Sequence, residues 1–211
     1  MRPGRRKAVL DAEAEAPTAA ASPDSVEDRR EQTRILTVYR VARLNIDSDT
    51  GLCRVKNISD SGMMLVTSLE IAVGETVMIA LSDKIVLAGE VSWVDGARVG
   101  VQFLEAIDAA TVLQSIATAA PAEHRPIRLP TDTVAVAMTQ RGTRAVRIVD
   151  ISQQGMKISH DGGFTLGMQL KITLPNGLER RAVVRWANEN LAGLKLLDPI
   201  AYQDLESAGR L

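Results

Sequence analysis

The stretch Asn57-Ile58-Ser59-Asp60-Ser61-Gly62 decides the fold, because it separates two short apolar runs and then occurs a second time. The second copy is Asp150-Ile151-Ser152-Gln153-Gln154-Gly155. Asn and Ser side chains hydrogen-bond nearby backbone, and Gly permits a positive φ or the close approach of another group. Each copy therefore predicts a tight turn between two strands.

The two turns belong to a longer repeat in which matching residues lie 93 positions apart, as Trp93 and Trp186 do. Three glycine pairs keep the same frame: Gly62 with Gly155, Gly74 with Gly167, and Gly100 with Gly193. No gap is needed, so the simplest account is two domains of one fold. With the boundary near Pro121, we predict a flexible tail over 1–25 and domains over 26–120 and 121–211.

Each half of the chain carries six short runs that are β-branched or alternate between apolar and polar residues. Turn sequences such as Asp95-Gly96 and Asn176-Gly177 break them. The predicted strands are 37–44, 52–56, 63–67, 76–81, 85–94 and 98–104, then 133–138, 145–149, 156–159, 169–174, 179–186 and 192–196. The pattern predicts a mainly β protein with a small six-stranded antiparallel barrel or sandwich in each half.

A helical period follows the first series of strands, over 107–119. Asp108 is suited to cap this helix, and Pro121 ends it. Its apolar face comprises Ala109, Val112, Leu113 and Ile116. A second short helix is predicted over 200–208. The first 25 residues are rich in Ala, Glu, Pro and Ser, which predicts the flexible tail.

Composition excludes several classes of function. The 211 residues are 45% apolar, and 25 Lys and Arg balance 26 Asp and Glu, which predicts a globular protein without a nucleic-acid polymer or membrane as partner. The single cysteine, Cys53, lies in an alternating run and is predicted to be a small buried hydrophobe. With only two histidines, a structural zinc site is not expected. No apolar run has transmembrane length, so we expect a cytoplasmic protein.

The sequence contains no nucleophile elbow, P-loop or metal-binding helix, and we expect no enzymatic activity. The best candidate site combines Arg29, Arg30 and Arg34 with the turn Asn57–Gly62. The planar fork of an arginine fits phosphate oxygens and the Hoogsteen edge of guanine, and asparagine can bond base edges. These residues suit a nucleotide. The alternative is a solvated charged run, which neighbouring acidic residues partly neutralise.

These residues resemble the PilZ domain, a bacterial receptor module for cyclic di-GMP (c-di-GMP). The family pattern is Arg-x-x-x-Arg before the first strand, followed by Asp/Asn-x-Ser-x-x-Gly between two strands. The segment Arg30-Glu31-Gln32-Thr33-Arg34 matches the first part, with Arg29 as an additional arginine, and Asn57 to Gly62 matches the second. The resemblance covers the chain from Val26 onward in two copies and implies two tandem PilZ-like barrels, each followed by a short helix.

The resemblance implies that six residues bind c-di-GMP: Arg29, Arg30, Arg34, Asn57, Ser59 and Gly62. The last two arginines would hold phosphates and guanine, with Arg29 in support. The asparagine would bond a guanine edge, the serine would contact the ligand near a phosphate, and the glycine would keep the surface open. No other cofactor is implied. Trp93 alternates with Val91, which favours core packing over contact with a base.

The second copy keeps the turn but departs from the arginine pattern. In the 93-residue frame, Arg30 and Arg34 fall on Glu123 and Ile127, and a shift by one residue restores only Arg128. We therefore expect the second domain to bind c-di-GMP weakly or not at all. Its predicted role is packing, dimerisation or contact with a partner.

The leading hypothesis is a c-di-GMP receptor that acts on a downstream protein partner, either as a monomer or as a homodimer. The alternative is a pair of non-binding barrels that serves only as a protein-interaction module. Binding of single-stranded nucleic acid ranks last, because it relies on exposed aromatics and a basic groove, whereas this chain has two Phe, two Tyr, two Trp and a net charge of -1.

Overall fold

A computed structural model describes residues 36–118 and 126–211. The predicted tail and the arginines Arg29, Arg30 and Arg34 lie outside the described residues, so they remain predictions. The residues of these two ranges belong to one compact unit. No helix within 36–118 or 126–211 is long and apolar enough to cross a membrane.

The first half is a closed antiparallel barrel of six strands, as predicted. The strands are β1 (Leu36–Asn45), β2 (Thr50–Ile58), β3 (Gly62–Val66), β4 (Thr76–Ala80), β5 (Val86–Asp95) and β6 (Arg98–Phe103). They close in the order β1-β2-β3-β6-β5-β4. Alternate apolar side chains point inward and are fully buried, among them Leu44, Val55, Leu65 and Ile79.

The helix α1 (Ala109–Thr118) follows the first barrel, and its buried residues Ala109 and Ile116 join the barrel core. Asp108 caps it as predicted: the backbone N–H of Thr111 donates to the Asp108 carboxylate at 2.9 Å. Hydrogen bonds from Thr111 lower the pKa of Asp108. Sequence periodicity therefore placed both the start and the buried face of this helix.

The second half is also a closed barrel of six strands, with a seventh, two-residue strand added to the same sheet. Its elements are β7 (Leu129–Pro130), β8 (Val134–Thr139), β9 (Gly142–Ser152), β10 (Gly155–Ser159), β11 (Gln169–Thr173), β12 (Glu179–Ala187) and β13 (Leu191–Leu196). Pairing of β9 with β10 closes the barrel, and the short β7 pairs with β9. The predicted closing helix is present in the tighter 3₁₀ form, as two turns at Tyr202–Leu205 and Ala208–Arg210.

Strand pairing reproduces the 93-residue frame. Leu36 pairs with Ile58 in the first barrel, and Leu129 pairs with Ile151 in the second. The strand β1 is bulged between Thr37 and Arg40, whereas the matching segment of the second barrel divides into β7 and β8. Pro130 has no N–H to donate, which accounts for the shorter pairing there.

The strand β2 also packs against the second barrel. Leu52 belongs to the apolar core of that barrel, and the Tyr202 hydroxyl donates to the Leu52 carbonyl oxygen at 3.0 Å. The Arg54 guanidinium lies 4.3 Å from the centre of the Tyr202 ring. Burial is the main cause that raises the pKa of Tyr202. One end of β2 therefore lies between the barrels, while its other end leads into the Asn57 turn.

Cys53 is fully buried on β2, as predicted for a small hydrophobe, and burial raises the pKa of its thiol to about 12.

The His160 ring accepts a hydrogen bond at Nδ1 from the Gly162 N–H at 2.9 Å and lies 4.8 Å from the Phe164 ring. Within the described ranges, no group of three or more His, Cys, Asp or Glu side chains could hold a metal ion.

Candidate functional site

The serine of each repeated turn closes that turn. The Ser59 hydroxyl donates to the Gly62 carbonyl oxygen at 3.1 Å, and the Ser59 N–H donates to the same oxygen at 2.8 Å. Ser152 and Gly155 repeat the hydroxyl bond at 3.1 Å. Both serines are buried. The same bond forms in both barrels. Closing the turn is therefore a sufficient reason for a serine at this position in each barrel.

The glycine of each turn is required by the neighbouring strand. A Cβ atom at Gly62 would lie 2.4 Å from the Val101 carbonyl oxygen, and one at Gly155 would lie 2.7 Å from that of Leu194. Both distances are too short for any other residue without a backbone shift. Neither glycine has a positive φ. Close strand approach, one of the two alternatives the sequence left open, is therefore the reason for these glycines.

The turn of the first barrel also holds the start of α1. The Asp60 carbonyl oxygen accepts the Ile107 N–H, and its carboxylate accepts the Ala109 N–H, both at 2.9 Å. In the second barrel, the Gln153 carbonyl oxygen accepts the Ile200 N–H at 2.8 Å. Sequence reasoning missed this role of Asp60, because nothing in the sequence links it to a helix 49 positions away.

The candidate site of the first barrel is a row of four residues on adjacent strands. Asn57 pairs with Met64, Met64 with Gly100, and Gly100 with Trp93. Together with Ser59 they line a cavity of about 280 Å³ on the outer face of the barrel. The structure therefore brings three residues of the predicted site, Asn57, Ser59 and Gly62, to the lining of one cavity.

The prediction that Trp93 packs in the core is wrong. A β-bulge between Val91 and Trp93 adds one residue to β5 and reverses the alternation, so Val91 is buried and Trp93 is 41% exposed. The indole lies against the bare backbone of Gly100, where a Cβ atom would be only 2.0 Å from the indole Nε1. Trp93 is therefore a wall of the cavity.

Charge is absent from the described lining of this cavity, which contains polar and apolar residues only. Within the described part of the chain, no hydrogen bond occupies the Asn57 side-chain amide, so it is available to a ligand. The described residues thus offer hydrogen bonds and an aromatic wall. Positive charge for an anionic ligand has to come from elsewhere, and the predicted source is Arg29, Arg30 and Arg34.

The second barrel repeats the row with different chemistry. Asp150 pairs with Lys157, Lys157 with Gly193, and Gly193 with Trp186, beside a cavity of about 410 Å³. The Asp150 carboxylate forms ion pairs with the Arg128 guanidinium and, at 2.9 Å, with the Lys157 ammonium. The position that matches Asn57 is therefore already occupied by partners within the chain.

Two closed antiparallel barrels, each with a serine–glycine turn beside an outward-facing cavity, define this chain as a tandem small-barrel protein. The PilZ domain family matches residues 28–118 and 122–208. The chain therefore belongs to the PilZ domain family, in two copies. No curated protein matches its sequence.

The solved structures that this chain matches are distant in sequence. PlzA of Borreliella burgdorferi, in complex with c-di-GMP, is 11% identical with a TM-score of 0.30, over 77% of this chain and 86% of that one. YcgR of Escherichia coli, also in complex with c-di-GMP, is 12% identical with a TM-score of 0.34, over 79% and 80%. The Bacillus subtilis inhibitor of motility MotI/DgrA is 12% identical with a TM-score of 0.33, over 81% and 94%.

Proposed function

We propose that this chain is a c-di-GMP receptor whose ligand binds to the first barrel. The observation that carries the proposal is a PilZ domain in which an unoccupied asparagine amide and an indole border one cavity next to the family turn. The proposed ligand-binding residues are Arg29, Arg30, Arg34, Asn57, Ser59 and Gly62. Ser59 and Gly62 contribute by shaping the turn that presents Asn57.

Ordinary hydrogen bonds and stacking are enough to supply the binding free energy of a micromolar complex at this site. Each hydrogen bond to a charged group contributes about 1.5–3 kcal/mol net. Two or three such bonds from the arginines, together with stacking on Trp93, reach the roughly -8 kcal/mol of a micromolar complex. Asn57 adds selectivity for a base edge, since a bidentate amide contact discriminates between bases by about 1–3 kcal/mol.

The first barrel is the better candidate for two reasons. Asn57 is neutral and unoccupied, whereas Asp150 is held by Arg128 and Lys157. The paired arginines also precede only the first barrel at the family spacing. Binding in the second barrel by the same contacts would require its ion pairs to break.

In our proposal, signal transmission begins when the arginine segment becomes ordered against the bound ligand. This ordering then leads to a rearrangement of the two domains. Two described connections support this route. Asp60 joins the turn to α1, and β2 joins it to the second barrel through Leu52 and Tyr202. In this proposal the two domains are those predicted from the sequence, 26–120 and 121–211. The receptor acts in the cytoplasm, as a monomer or a homodimer. It catalyses no reaction and passes the signal to a downstream protein.

Calorimetric titration of c-di-GMP tests the site with two matched pairs of variants. We expect Arg34→Ala and Asn57→Ala to weaken binding at least tenfold, and Arg128→Ala and Asp150→Ala to leave the first-barrel affinity unchanged. Binding that survives Arg34→Ala but is lost in Arg128→Ala would overturn the assignment. Complete absence of binding at high micromolar ligand, by a folded protein, would favour the protein-interaction module instead.

A further inference from the structure

The strand β8 of the second barrel is apolar on both of its faces. Ala135 and Ala137 point inward and are fully buried, whereas Val134, Val136 and Met138 point outward and are 50%, 43% and 49% exposed. We call these three outward residues the β8 strip. Because β8 pairs with β9 on one side and with β11 on the other, the strip is the face of a sheet and not an unpaired edge.

The matching face of the first barrel is an interface. The positions 93 residues before the strip are Val41, Arg43 and Asn45 on β1. Val41 packs against the apolar core of the second barrel, and the Arg43 guanidinium donates to the Arg128 carbonyl oxygen at 3.0 Å. The face that a neighbouring barrel covers in the first copy of the fold is therefore exposed in the second copy.

The exposed face is also more apolar than the covered one. Val136 and Met138 stand where the first barrel has Arg43 and Asn45, and both barrels close with corresponding strand pairing. The fold therefore does not require apolar side chains at these positions. Apolar side chains grouped on one surface favour contact with another surface that removes them from water.

The two charged residues opposite the strip in the strand pairing have partners within the chain. On β9, the Arg147 guanidinium forms an ion pair with Asp132 at 2.7 Å. On β11, the Lys171 ammonium forms an ion pair with Glu179 at 2.9 Å. Unpaired like charges would repel if this face met a copy of itself, and these pairs remove that repulsion. The face thus has an apolar centre and a neutralised polar rim, as protein interfaces do.

We propose that two copies of this chain dimerise through the β8 strip. A twofold axis passes through the centre of the strip, so Val136 packs against its equivalent, and Val134 of each copy packs against Met138 of the other. Such an interface closes the assembly at two chains. The strip shares no residue with the turn cavity of either barrel, so the dimer and the proposed c-di-GMP site can fail independently.

Sedimentation velocity of the full chain without ligand, from micromolar to millimolar concentration, tests the dimer. We expect the sedimentation coefficient to rise with concentration to that of a dimer. The double variant Val136→Arg/Met138→Asn carries the residues that the first barrel has at these positions, so it should fold, as circular dichroism can check. We expect it to raise the dissociation constant of the dimer at least tenfold.

The matched control is Val86→Arg, which places the same charge at a valine of the first barrel that is 44% exposed. It should leave the dissociation constant unchanged. An equal effect of the control and the double variant would indicate only a general charge effect and would overturn the proposal. A dimer that the double variant leaves intact would place the interface elsewhere and would overturn it too.

A thiol probe identifies what lies against the strip. Cys53 is the only native cysteine and is buried, so Val136→Cys adds one exposed thiol. A short bismaleimide should cross-link two copies of Val136→Cys but not two copies of Val86→Cys.

A protein that stays monomeric at millimolar concentration would overturn the proposal in either of two ways. If the Val136→Cys thiol then resists maleimide, residues outside the described ranges cover the strip. If it reacts, the strip is left to a different protein.

Discussion

The contact between each indole and its glycine makes the substitution Gly100→Ala informative. A Cβ atom at this position would lie 2.0 Å from Trp93 Nε1, so the indole must leave the strand surface. Trp93 is 41% exposed, and the covered part of an aromatic side chain of this size is roughly 120 Å². At about 25 cal/mol per Å², complete displacement costs about 3 kcal/mol, and partial displacement less.

We therefore expect Gly100→Ala to lower the free energy of unfolding by about 1–3 kcal/mol, measured by urea titration with circular dichroism. The matched substitution Gly193→Ala should cost a similar amount, because the Trp186 indole is equally close. Binding of c-di-GMP should also weaken in Gly100→Ala, since the displaced indole no longer forms the cavity wall.

A double-mutant cycle decides whether the indole is the cause. In a Trp93→Ala background, Gly100→Ala should cost nothing, and could gain up to about 1 kcal/mol, because glycine within a strand is less stable than alanine. The reasoning is refuted if Gly100→Ala costs the same amount with and without the indole. It is also refuted if the substitution costs less than about 0.5 kcal/mol in the wild-type background.

Three further substitutions or treatments test other contacts. Tyr202→Phe leaves the buried Leu52 carbonyl oxygen without its donor and should lower the free energy of unfolding by about 1–2 kcal/mol in urea titration; an unchanged value would contradict that bond. Asp60→Ala removes the acceptor of the Ala109 N–H, so hydrogen exchange at the start of α1 should become about fivefold faster, whereas exchange within β11 stays constant. The Cys53 thiol, whose pKa burial raises to about 12, should resist iodoacetamide at about pH 8.5 until urea unfolds the protein, and rapid labelling of the native protein would disprove its burial.

Inward-facing positions were predictable from the sequence, because apolar alternation and the 93-residue frame both follow from the barrel pairing. The position of Trp93 was not, since a bulge inserts one residue into the pairing without changing the sequence pattern that surrounds it. The basic lining of the cavity in the second barrel was also missed, because Arg128, Lys157 and Lys195 come from three separate segments. Only their pairing across the second barrel brings them to one face.

The outward-facing rows have a consequence for how the two copies could diverge. Asn57 and Met64 correspond to Asp150 and Lys157, so a neutral pair on one barrel matches an ion pair on the other. Both rows lie on the outside of a barrel whose inner face is filled by other residues. The glycine and tryptophan of each row are fixed by their mutual contact, whereas the first two residues differ in charge between barrels that close with the same strand pairing. A duplicated barrel can therefore change the charge of its outer cavity at these two positions while retaining its architecture.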